Sequence, residues 1–109
     1  MIDRHDGPLE HYISGNPQSA ILLVFLQGWP DSMEMWDCLS PEATLGEFQL
    51  LRMNIPNHGS EKIPWGQDFE VLRDRIKLTI NQVEGVKDRV LVAHDWGCVY
   101  GYQVDKVLC

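Results

Sequence analysis

The sequence has no apolar run long enough to cross a bilayer. Its longest, Ala20–Leu26, falls far short of the roughly 20 residues that a membrane-spanning helix needs. The opening stretch, MIDRHDGPLEHY, carries charges where a secretory signal would carry an apolar segment, so no leader is read there. Cysteine is scarce, with Cys38, Cys98 and Cys109 the only three. An odd number without CxxC spacing argues against a disulfide framework and a zinc site, and the expected compartment is cytoplasmic. Cys98 sits where a helix would begin, yet a small buried packing residue is the preferred reading over a reactive thiol. Basic residues are outnumbered, 9 against 16 acidic ones, for a formal net charge of −7. Without a basic cluster, nucleic acid and anionic membrane surfaces are not expected partners. No internal repeat or low-complexity tract is present, and no metal or cofactor is implied.

What is there suits one modest core: 109 residues, 44% of them hydrophobic. AILLVFL (20–26) is a continuous apolar run between turn residues, the pattern of a strand buried on both faces. A weaker strand is expected over 8–14, a third over 47–55 and a fourth, RVLVA, over 89–93. Between the last two, Phe69, Leu72, Ile76, Ile80 and Val83 recur at spacings of three and four. That stripe predicts a helix over 68–84, with Asp68 as N-cap and Gly85 as its stop. A short helix over 33–39, capped by Ser32, and a last one from Val99 onward complete the series. Strands alternating with helices predict an α/β fold, a three-layer αβα sandwich around a mostly parallel sheet. In such sheets, sites lie beyond the carboxyl ends of the strands. Two loops leave that edge: QGWPDS after residue 26 and HDWG after residue 93.

The second loop places a carboxylate where a core strand ends. A sharp strand-to-helix bend that lifts a nucleophile above a sheet needs small residues two before and two after it. Asp95 has Ala93 and Gly97 in those positions, with His94 and Trp96 between. The backbone N–H of Trp96, and one from the other loop at Trp29, would form an oxyanion hole. The plainer alternative for Asp95 is an N-cap, and for Trp29 and Trp96 half-buried packing. Trp36 reads as a packing residue directed at the sheet. Gln27 reads as a loop-shaping residue bonded to backbone, and Gly59 and Ser60 as loop-shaping residues.

These segments together resemble a known family. QGWPDSMEMWD looks like the HGxPxSxxxW loop of the α/β-hydrolase superfamily, AHDWG like its nucleophile turn, and RMNIPNHGSEKIP like its D-x-P-x-x-G-x-S segment. Asn54 stands where that last pattern has aspartate, and Gln27 where the first has histidine. The branch with aspartate at the elbow is that of epoxide hydrolases and haloalkane dehalogenases. The resemblance implies Asp95 as nucleophile, Trp29 and Trp96 as oxyanion and substrate-binding residues, and Gly28, Pro30, His94 and Gly97 as shapers of the two bends. It also implies a small-molecule substrate, attacked at saturated carbon to give an alkyl-enzyme ester.

Family members carry a general-base histidine, a second acid and a helical cap well downstream. None of His5, His11, His58 and His94 occupies the base position. Residues 1–109 are therefore expected to form a single partial α/β-hydrolase domain, truncated after the nucleophile elbow, with the cap and C-terminal half absent. Two readings follow. One is the nucleophile-bearing half of an epoxide- or halide-cleaving hydrolase, inactive on its own. The other is a non-catalytic fragment that binds a partner or ligand. The fourth strand would leave an unpaired apolar edge, a liability for self-association.

Overall fold

The computed structural model describes residues 7–27, 32–34, 36, 45–57, 59–63, 67–94 and 97–99. The predicted helices beyond Trp36 and Val99 lie outside the described residues. A strand apolar at every position cannot face water on either side, and β2 (Ile21–Leu26) runs through the middle of the sheet. Strands β3 (Gln49–Met53) and β4 (Asp88–Ala93) pair with it in parallel, one on each side. Strand β1 (His11–Gly15) adds antiparallel to β3, giving the order β1-β3-β2-β4. The expected mostly parallel sheet is present, with shorter strands than the sequence suggested at β1 and β3. Residues Leu45–Glu47 form a 3-10 turn instead of the start of β3. Leu9, expected within the first strand, is buried ahead of it and gives its amide to Thr79 Oγ1 at 2.9 Å.

Side-chain alternation divides β2 between two layers. Leu22, Val24 and Leu26 join Leu51, Met53 and the stripe Leu72, Ile76 and Ile80 of helix α1 (Phe69–Asn81) in one core. Phe25 points the other way and meets Trp36, with ring centroids 5.1 Å apart and planes tilted by 51°. Both faces of β2 are thus covered, and Trp36 packs on the sheet as expected.

Helix α1 departs from its pattern at both ends. Phe69, at the first position of the helix, is 39% exposed. Asp68 holds the N-cap position, yet its side chain makes no capping bond. The helix closes at Gln82, and Gly85, with φ 78°, serves the turn into β4 instead of the helix end. Two polar residues also share the buried face, Arg75 and Thr79. Thr79 Oγ1 donates to the Arg75 carbonyl at 2.8 Å while accepting the Leu9 amide. Thr79→Val keeps the shape and strands that buried amide, which is expected to lower stability by about 1–3 kcal/mol in urea titration. A variant within experimental error of wild type contradicts this.

Strand β4 stands at the sheet edge, with Val90 46% exposed. Among the described residues, no helix is long and apolar enough to cross a membrane. Nor, among them, does any cluster of His, Cys, Asp or Glu have the makings of a metal site.

Candidate active site

Three parallel strands finish at one level. Leu26 is in register with Met53 on one side and Ala93 on the other. The segments that follow them, including both loops singled out in the sequence, therefore leave from adjacent points on the carboxyl edge of the sheet.

The bend after β4 is built by backbone. The His94 N–H donates to the Leu26 carbonyl at 3.1 Å, extending the ladder one residue past the strand. The Gly97 N–H donates back to the His94 carbonyl at 2.8 Å, and Gly97–Val99 are helical. Gly97 is where the helix start crosses the end of β2. A Cβ there would lie 2.8 Å from the Leu26 carbonyl carbon and 2.9 Å from the Gln27 oxygen, and closer still to the Leu26 oxygen. Backbone carbonyls cannot swing aside, so only glycine fits. This close crossing is the reason for a minimal residue two places after Asp95. Ala93, two places before it, is half-buried. The His94 side chain is exposed, so its backbone alone shapes the turn. Asp95 and Trp96, and likewise Gly28, Trp29 and Pro30, lie outside the described residues.

The start of the other loop is stapled to β3. Gln27 is fully buried, and its carboxamide donates to the Met53 carbonyl at 2.6 Å and accepts the Ile55 N–H at 3.0 Å. That is the backbone-shaping role expected from the sequence. Ser32 directs its hydroxyl to the Glu34 carboxylate, where a helix cap was expected. The Met33 N–H donates to Asn54 Oδ1 at 2.7 Å.

A family profile of the alpha/beta hydrolase fold matches residues 21–103, most of the chain. The chain belongs to the α/β hydrolase fold family. It is 27% identical over 96 residues to mouse Epoxide hydrolase 3, covering 85% of this chain and 26% of that protein. The chain thus spans about a quarter of that relative's length. Two solved structures share the fold. A lipase-esterase related protein from Clostridium acetobutylicum superposes with a TM-score of 0.72 at 19% identity, over 88% of this chain and 40% of that one. An epoxide hydrolase variant from Bacillus megaterium, solved with its product, superposes with a TM-score of 0.69 at 24% identity, over 88% and 33%.

Other features of this α/β hydrolase were hidden in its sequence. Glu10, just ahead of β1, receives the Asn54 Nδ2 at 2.5 Å, the Ser60 N–H at 3.2 Å and the Ser60 hydroxyl. The Ser60 hydroxyl, Asn54 and the Ser60 amide hold the carboxyl below its ordinary value of 4.5, with burial opposing and Lys62 assisting. A lowered carboxyl adds stability above the unfolded value, and that stability is lost as pH falls through the folded one. Glu10→Gln is therefore expected to melt below wild type at neutral pH, with the gap closing once the pH drops beneath 4.5. A gap constant across that range contradicts this.

Cys98 is exposed, against the expectation of burial. One residue after Gly97 turns about 100° around the helix, which carries Cys98 off the side that Gly97 presses against β2. Among the described histidines, His11 donates from Nδ1 to the Leu9 carbonyl at 2.7 Å on the far edge strand. His5 and His58 lie outside the described residues.

Proposed function

We propose that this chain carries the nucleophile of an epoxide-hydrolase-type site, with Asp95 forming an alkyl-enzyme ester. The observation that carries the reading is Gly97 pressed against the ends of Leu26 and Gln27, which favours a tight bend at Asp95. Similarity to mouse Epoxide hydrolase 3 favours an epoxide over an ester, as does an acid in place of a hydroxyl.

In this mechanism a carboxylate oxygen of Asp95 attacks a ring carbon of the epoxide. The new C–O bond forms as the strained C–O bond breaks, and the ring oxygen leaves as an alkoxide that takes a proton from water. Amide groups at the start of the following helix favour the ionised carboxylate. The Trp96 and Trp29 N–H groups bind the ester oxygen, Gly28 and Pro30 shape the loop that holds Trp29, and His94 and Gly97 set the bend. Hydrolysis of the ester needs a water activated by a base. His94 is exposed and His11 lies across the sheet. On this reading no described histidine serves as that base, and the reaction stops at the ester.

Incubated with excess styrene oxide, the chain is expected to consume at most one equivalent and release no diol, while Asp95→Asn consumes none. Sustained diol release from the wild-type chain, or equal consumption by Asp95→Asn, refutes the reading.

A further inference from the structure

Asn54 joins three segments that are far apart in the sequence. Its Oδ1 accepts the Met33 N–H at 2.7 Å, at the far end of the loop that holds Trp29. Its Nδ2 donates to Glu10 Oε1 at 2.5 Å, and its own N–H donates to the Glu10 carbonyl at 2.8 Å. Asn54 is 4% exposed, so little water is at hand to replace a lost partner. Gly59 closes over the pair, since a Cβ there would meet both the Glu10 carboxylate and, at 2.8 Å, Asn54 Cγ.

We propose that Asn54 is a positioning residue for the Trp29 loop, matched to Glu10 so that the pair carries a single negative charge. The amide is the group that serves both neighbours at once: a donor for a carboxylate and an acceptor for a backbone N–H. Aspartate could still accept from Met33, but it would set a second carboxylate against Glu10, at the cost of either like-charge repulsion or the uptake of a proton. Gln27 fixes the near end of the same loop to β3, so the two amides anchor both ends of it to one strand terminus. The proposal deepens the reading of this loop as part of the epoxide site and rests on it for its purpose.

The test is amide hydrogen exchange at Met33 in the wild-type chain, N54D, E10Q and E10Q/N54D, with β2 amides as the gauge of global opening. N54D is expected to speed Met33 exchange about tenfold or more beyond any change in β2. In the double variant the carboxamide introduced by E10Q can donate to the new carboxylate. Exchange there is expected to return to within about threefold of wild type. Unchanged Met33 exchange in N54D, or an increase that E10Q leaves in place, overturns the proposal. If N54D alone does not fold, recovery of a folded spectrum in the double variant supports the pairing, and a double variant equally unfolded refutes it. Exchange needs no substrate, so absence of reaction with styrene oxide counts against the epoxide reading and not against the pair.

Discussion

Replacing Arg75 by alanine is expected to cost the folded chain about 3–5 kcal/mol, a large share of the roughly 5–15 kcal/mol available to a domain of this size. The guanidinium is 4% exposed and is the only cation inside the described core. Its Nε donates to the Gly7 carbonyl and its Nη1 to Gln67, both at 2.8 Å, while Nη2 donates to both oxygens of Glu61 at 2.9 Å. One side chain therefore fastens the approach to β1, the loop after β3 and the lead into α1. Truncation removes charge-assisted bonds and leaves a hole beneath those segments. Arg75→Met fills the hole without the charge and is expected to recover part of the loss. Urea midpoints measure both. A cost for alanine below about 1 kcal/mol would mean that the segments hold together without the guanidinium.

Gly97→Ala is the second large effect. The added carbon would overlap the Leu26 carbonyl and press on the Gln27 oxygen, at the point where β2, β4 and the following helix converge. Overpacking against backbone is expected to cost about 3 kcal/mol, at the upper end for a single methyl, because no side chain can yield. The helix start must move outward, and with it the residue that the bend presents. Gly97→Ala is thus expected to lose both thermal stability and reaction of Asp95 with an epoxide, even at temperatures where its circular dichroism matches wild type. Ala93→Gly gives the contrast, since that position removes a carbon instead of adding one; its cost is expected to stay near 1 kcal/mol. Equal stability and reactivity of Gly97→Ala and wild type would show that the crossing is looser than the bend requires.

Much of this architecture was legible because it is written in local patterns. The unbroken apolar run of β2 and the three-and-four spacing of α1 each encode burial directly, and the glycine at 97 marks the close crossing over the end of β2. Gln27 and Trp36 also took the roles that their chemistry suggested. What was not legible joins residues remote in sequence. Glu10 and Asn54 are 44 positions apart, and Met33 and Asn54 are 21 apart. Nothing in the helix pattern singles out Arg75 until Gly7 and Glu61 are placed beside it. The substitution of asparagine for a customary aspartate looked like a simple departure from pattern. Beside Glu10 it becomes the choice that avoids two adjoining carboxylates. Cys98 and Phe69 were misjudged because both stand in the first turn of a helix, where hydrophobicity alone does not say which side is covered.

The central claim, that the bend between β4 and the next helix presents a reactive carboxylate, is tested most directly by peptide mapping. The wild-type chain is incubated with styrene oxide, digested and read by tandem mass spectrometry. The account predicts a single adduct on Asp95, with the other acidic residues unmodified. Folded protein with an unmodified Asp95, or with label spread over surface carboxylates, would contradict it.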